Sequence, residues 1–270
     1  MAPRRAEATF AGLPWPAPTI VVGHSDVASW WAAVRGGAPP PAWDGYRRRV
    51  TAGLEAAGAV VAPTAAYGAE LERWYGVRGV QVIPNGRSAH WVVDAPKEPF
   101  VLGAGRLWDE AKNLALLDAV ASRIGWPVVL AGDPRGPSGS TRTVLAASAA
   151  GPLPFADLAT LLGRAAVFAH PARYEPFGLG PLEAALSGCA LVLGDIPTLR
   201  EVWGGAATYV DPDDEEGLAA VLDEILSDPP RAAEMGARAR RRADAYRPAP
   251  MGSAYVATYR SLCRAPVGRP

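Results

Sequence analysis

The sequence predicts an α/β protein built as two Rossmann-like units, each a parallel sheet covered by helices, facing each other across a crevice. Three observations carry this. Short apolar runs of strand length alternate with longer helical segments along the chain. The runs are almost purely apolar, as in strands buried on both faces. They also fall into two series, separated by a polar, proline-bearing stretch over residues 87–99 that reads as an interdomain linker. With 270 residues, of which 49% are hydrophobic and 20% charged, the chain can bury a sizeable core.

The elements follow in order. Residues 1–17 carry no periodic pattern, and Leu13-Pro14-Trp15-Pro16 breaks any helix. Residues 19–22 form a first strand ending at Gly23-His24-Ser25-Asp26, and a helix with Trp30 and Trp31 follows. Residues 42–57 read as a helix and 59–62 as a strand. Thr64 is an N-cap for the next helix. Residues 79–83 are a third strand leading into Pro84-Asn85-Gly86. The second series opens at 100–104. A helix over 113–124, a strand over 127–131, a loop over 132–141 and a strand near Val144 and Leu145 come next. Helix 155–164, strand 165–169, a helix ending near Gly188, strand 190–193, helix 198–203 and strand 208–210 complete the alternation. Helices over 215–226, 231–246 and 254–264 close the chain. The expected domains are 1–95, 96–250 and a final segment 251–270 that crosses back to the first.

A formal net charge of zero removes the simple electrostatic case for a nucleic-acid partner. Two cysteines, Cys189 and Cys263, do not make a disulfide scaffold and fit a reducing compartment. No stretch is long and apolar enough to span a bilayer, and Met1-Ala2-Pro3-Arg4-Arg5 lacks an apolar signal core behind it, so a soluble cytoplasmic protein is expected. Asp211 to Glu216 reads as a carboxylate-rich helix start, and His90 and His170 lack partners at ligand spacing, so no metal is expected. Four arginines in the five positions 238–242 read as a solvated helix face, with contact to an anionic lipid surface as the second reading.

The stretch Arg173-Tyr174-Glu175-Pro176-Phe177-Gly178-Leu179-Gly180-Pro181-Leu182-Glu183 joins a buried strand to a helix start. Its glycines let the backbone approach a ligand, and the helix start favours an anion. Such a corner can hold a phosphate on its N–H groups and sugar hydroxyls on Glu175 and Glu183. The plainer reading is a dipole-stabilised carboxylate and an exposed helix residue. Gly105-Arg106-Leu107-Trp108-Asp109-Glu110-Ala111-Lys112-Asn113 lies beyond the first strand of the second series, where ligands of such sheets bind. A guanidinium and an ammonium there suit a diphosphate; two solvated cations are the alternative. His24 sits at a strand end, either structural or aimed at the crevice. Asn85 and Gly86 form a turn.

The E-P-F-G-L-x-x-x-E pattern at 175–183, in the context P-A-R-Y-E-P-F-G-L and E-A-A-L-S-G-C-A-L-V, resembles the donor-site signature of retaining GT-B glycosyltransferases of family 4. The likeness spans about residues 14–264. It implies a GT-B-like fold whose N-terminal unit is reduced, because the opening strand and glycine-rich loop of that family have no counterpart here. By resemblance, Arg106 and Lys112, in a segment with Gly105, hold the leaving diphosphate. Glu175 meets the transferred sugar and Glu183 the ribose, while Phe177, Gly178 and Leu179 present N–H groups. The resemblance gives His24 a donor contact, places Asn85 and Gly86 at the crevice edge, and sets Leu153 against the base, a loop-packing role being equally open for Leu153. It implies a metal-independent transferase that moves a hexosyl-type sugar from a nucleotide-diphosphate sugar to a hydroxyl acceptor with retention. No cofactor is implied beyond that co-substrate. A nucleotide-sugar-binding subunit without turnover and a sugar-nucleotide epimerase are the alternatives. Apolar surface left by the reduced unit implies a homodimer or poor solubility.

Overall fold

The computed structural model describes residues 17–264, and its internal contacts separate two units, residues 17–86 with 248–264, and residues 87–247. The readings of residues 1–16 lie outside the described residues.

The first unit opens with β1 (Ile20–Val22), α1 (Val27–Arg35), α2 (Asp44–Ala56), β2 (Ala59–Ala62), α3 (Ala65–Tyr75) and β3 (Gln81–Val82). The three strands are parallel, in the order β1-β2-β3. Asp26 caps α1 by accepting the Ser29 N–H at 2.9 Å. The same buried carboxylate accepts the hydroxyls of Tyr67 at 3.1 Å and Tyr75 at 2.7 Å, which ties α3 to the α1 start. Thr64 caps α3 through the Tyr67 N–H at 3.2 Å, as its sequence position predicts.

The second unit holds β4 (Glu98–Ala104), α4 (Leu114–Val120), β5 (Val128–Ala131), β6 (Ser148–Gly151), α5 (Phe155–Arg164), β7 (Ala165–His170), α6 (Leu179–Leu186), β8 (Ala190–Gly194), α7 (Pro197–Trp203), β9 (Thr208–Val210), α8 (Glu215–Leu226) and α9 (Pro229–Ala243). Its six strands run in the order β6-β5-β4-β7-β8-β9, all neighbours parallel. Successive strand residues face opposite ways. Phe168, Leu191 and Leu193 therefore pack into one core layer with Leu182, Leu199 and Trp203. Val167, Ala169 and Val192 enter the other with Leu117, Leu218 and Leu222. Each such fully buried large side chain contributes about 1.5–3 kcal/mol. The chain order moves outward one way from β4 to β6 and the other way from β7 to β9. The switch point of the sheet thus lies between β4 and β7, and ligands of such sheets bind beyond the strands' carboxyl ends at that point. The last helix, α10 (Pro248–Arg264), belongs to the first unit, where Met251 Sδ accepts the Gly86 N–H at 3.2 Å and Thr258 bonds Gln81 at 3.0 Å.

Two expectations need correction. Residues 87–97 do not form a free linker, and the division between units falls at Gly86/Arg87 and Arg247/Pro248 rather than at 95/96 and 250/251. Trp91 packs edge-on against Phe155 with ring centres 5.1 Å apart, and the Lys97 amine donates to the Leu162 carbonyl at 3.0 Å. Those long-range anchors outweigh the polar, proline-bearing composition. The strand expected near Val144 and Leu145 lies instead at β6. Leu145 is 85% exposed, and its N–H and those of Ala146 and Ala147 all donate to the buried carboxylate of Asp118 on α4, at 2.9–3.0 Å. Among the described residues, no helix is long and apolar enough to cross a membrane.

Burial works against the ionised Asp118 carboxyl, but its three N–H donors prevail and hold it below the usual carboxylate range. The resulting stability is fully present above the unfolded value of about 4 and fades as pH falls through the folded one. Asp118→Asn is expected to lose about 2 kcal/mol at pH 7, and the difference from wild type is expected to narrow at pH 3, both read by urea denaturation.

Candidate functional site

Lys112 follows β4 and Glu175 follows β7, so the switch point brings together two side chains far apart in sequence. The Lys112 Nζ lies 2.5 Å from Glu175 Oε2, with only 19% and 14% of the two side chains exposed. His170, the last residue of β7, contributes Nε2 at 3.3 Å from the same oxygen. The other oxygen, Oε1, accepts the Gly178 N–H at 3.1 Å. Burial alone would raise the Glu175 carboxyl. The Lys112 ammonium and the His170 N–H overturn that and hold it well below the usual carboxylate range. Burial likewise pushes the His170 imidazole below its ordinary value, against the pull of Glu175.

Arg106 is more open, with 59% of its side chain exposed; it pairs with the buried Asp109, and its guanidinium lies over the Trp108 ring at 5.2 Å. Asp109 also accepts the Ala111 N–H at 3.1 Å, which tightens the loop that delivers Lys112. Gly105 opens this loop, its N–H bonded to the Ala131 carbonyl at 2.9 Å. Gly132 lies against it so closely that a Cβ there would stand 1.6 Å from the Gly105 carbonyl oxygen, and only glycine fits.

Asn113 locks the next layer. It adopts a left-handed backbone, φ 54°, and is buried. Its amide donates to the Pro171 carbonyl at 2.9 Å and the Pro212 carbonyl at 2.8 Å, and its Oδ1 accepts from Arg173. Arg173 in turn reaches Asp213 at 2.7 Å, and its own N–H donates to the Ala111 carbonyl at 2.9 Å. Three strand-end loops are thereby held to one another, and the Lys112–Glu175 distance with them.

Glu183 lies on α6, about one turn in. Arg87 pairs with it at 2.9 Å, and the Arg87 guanidinium rests over Phe155 at 4.8 Å and Trp91 at 5.4 Å. Burial raises the Glu183 carboxyl, opposed by Arg87. Leu153 is partly buried against the core layer beneath. Phe177 is buried, its ring edge-on to Tyr246 at 5.4 Å, whereas Leu179 is 46% exposed. At the α6 start the Leu179 and Gly180 N–H groups have no partner within the helix, leaving a region of positive potential beside Glu175. The expectation that Gly178 offers its N–H to a ligand meets a competitor, because Glu175 Oε1 already takes it.

Thus Arg106, Lys112, Glu175, Phe177, Gly178, Leu179 and Glu183, with Gly105 and Leu153, belong to the second unit, while His24, Asn85 and Gly86 belong to the first. His24 is exposed beyond the end of β1, and Asn85 and Gly86 are half-buried after β3. The sequence reading missed His170, Arg87, Arg173 and Asn113. A histidine ending a strand five positions before a loop glutamate was the available signal for His170; the two arginines and Asn113 act through partners remote in sequence. No group of three or more His, Cys, Asp or Glu side chains among the described residues is arranged to hold a metal ion.

The site offers a protected carboxylate, two cations and a helix start around the carboxyl ends of adjacent strands, an arrangement able to bind an anion joined to a polyol. Comparison with known proteins agrees with that chemistry. Residues 91–242 match the family described as glycosyl transferases group 1. The chain therefore belongs to the glycosyl transferases group 1 family. It is 42% identical over 102 residues to a glycogen synthase of Mycobacterium tuberculosis, a match covering 37% of this chain and 24% of that protein. It is 35% identical over 71 residues to the O-antigen chain mannosyltransferase RfbU of Salmonella typhimurium, covering 26% and 20%. The matched region thus spans about a quarter or less of these curated relatives. Among solved structures, sucrose-phosphate synthase from Thermosynechococcus elongatus superposes with a TM-score of 0.77 at 24% identity, over 91% of this chain and 68% of that one. Anabaena HepE, solved in complex with UDP, gives 0.76 at 17%, over 91% and 72%. These likenesses establish the GT-B α/β fold with its Rossmann-like units.

Replacing Asn113 by Ala removes two bonds to buried carbonyls and leaves a side chain in a left-handed conformation; a loss of about 3 kcal/mol is expected in urea denaturation. Asn113→Gly is expected to regain about 1 kcal/mol of that by relieving the backbone alone.

Proposed function

We propose that the chain transfers a sugar from a nucleotide-diphosphate sugar to a hydroxyl acceptor, with retention of anomeric configuration. The observation that carries this reading is the ion pair of Lys112 with Glu175 at the switch point beside the α6 start. The ammonium and the exposed Arg106 guanidinium meet the diphosphate; Glu175 receives hydroxyls of the transferred sugar; Glu183 receives the ribose. Leu153 lies against the base. Family membership supports transfer as the reaction class, and the similarity to a glycogen synthase and a mannosyltransferase supports a hexosyl donor. The UDP found with Anabaena HepE supports a nucleotide as the carrier.

Glu175 is held at both oxygens by Lys112, His170 and Gly178. A carboxylate so restrained is suited to orienting hydroxyls rather than to attacking carbon. The acceptor hydroxyl then attacks on the face the diphosphate leaves, and the departing phosphate oxygen takes the acceptor proton. Catalysis is positioning together with stabilisation of the negative charge growing on that diphosphate. Lys112, Arg106 and the α6 start supply the neutralising charge, so the reaction is metal-independent in this proposal. The three-stranded sheet of the first unit among the described residues supports a second reading, in which the chain binds the donor and a partner supplies the acceptor site.

Calorimetric titration of the 270-residue chain with UDP, GDP and ADP is expected to show binding of one of them. Arg106→Ala and Glu183→Gln are each expected to weaken it about tenfold, the worth of one charge-assisted contact. No binding to folded protein, or binding indifferent to both changes, would remove the site from this corner.

A further inference from the structure

His170 is a buried ring whose role neither the core nor the anion-binding groups explain. It ends β7 with 2% of its surface exposed, and its ring lies close to parallel with Phe168, centres 6.2 Å apart. Its Nε2 is 3.3 Å from Glu175 Oε2, while its Nδ1 has no hydrogen-bond partner. An ionised carboxylate can only accept, so the ring hydrogen is on Nε2 and Nδ1 is a bare acceptor. A buried acceptor without a partner is unfavourable, and a leucine or phenylalanine would fill this slot without that penalty. Packing therefore does not account for histidine here. The bond made by its other nitrogen does.

The three donors to Glu175 differ in stiffness. Lys112 is a point charge on a flexible four-carbon stem, and a diphosphate would compete for it. The Gly178 N–H fixes only Oε1. The His170 ring is held in the core by β7 and Phe168, and so can set the rotation of the carboxylate about its own axis. We propose that His170 is a positioning residue of the donor site, whose Nε2–H keeps Glu175 turned toward the hydroxyls of the transferred sugar while Lys112 engages the diphosphate. This rests on the reading of the corner as a nucleotide-sugar site.

The test compares each nucleoside diphosphate with its sugar conjugate, namely UDP with UDP-glucose, GDP with GDP-mannose and ADP with ADP-glucose, on the full chain. His170→Leu is expected to weaken the conjugate about tenfold and to leave the matching diphosphate within about twofold, since the bond lost bears only on the sugar. His170→Gln, which keeps an N–H near the same place, is expected to restore most of the loss. Equal weakening of conjugate and diphosphate, or no rescue by Gln, would overturn the role. Failure of the wild type to bind any of these ligands would instead overturn the site reading on which it rests. Nitrogen NMR of the free chain decides the first step separately: the Nε2–H tautomer is expected for His170, and the Nδ1–H tautomer would rule out the bond to Glu175.

Discussion

The ion pair between Lys112 and Glu175 is the constraint around which the second unit is arranged. It joins loops at the ends of β4 and β7, two strands that become neighbours only because the sheet is wound outward in both directions from between them. A buried pair of this kind is favourable only where its charges keep further hydrogen bonds. Here His170 and Gly178 complete the carboxylate. Asn113 and Arg173 then fix the loops, and Gly105 and Gly132 let two backbone segments pass close enough for the corner to form. These two glycines and the buried Asn113 all bear on one local charge arrangement.

That arrangement matches the needs of a group whose leaving charge grows during reaction. Cations and helix N–H groups fixed beforehand need little reorganisation as that charge develops. Arg87 holds Glu183 from a platform of Trp91 and Phe155, which orients the carboxylate.

The fold was largely legible because its signals are local. Buried parallel strands such as Ala59–Ala62 and Ala165–His170 announce themselves as apolar runs, and caps such as Thr64 sit where hydroxyl chemistry puts them. The errors came where distant contacts decide. Residues 87–97 look like a linker until Trp91 meets Phe155, and β6 is displaced from Val144 because Asp118 takes the preceding N–H groups. The candidate site is legible only in part. Lys112 stands in one sequence motif and Glu175 and Glu183 in another, and the structure brings Lys112 to Glu175. His170, Asn113 and Arg87 gain their meaning only from partners dozens of residues away or across a strand end, which composition and spacing do not encode.

A crystal structure of the chain grown with the nucleoside diphosphate it binds decides where the donor sits. The diphosphate is expected against Lys112, Arg106 and the α6 start, with a ribose hydroxyl on Glu183 in place of Arg87. A nucleotide bound elsewhere, with the Lys112–Glu175 and Arg87–Glu183 pairs both intact, would contradict it.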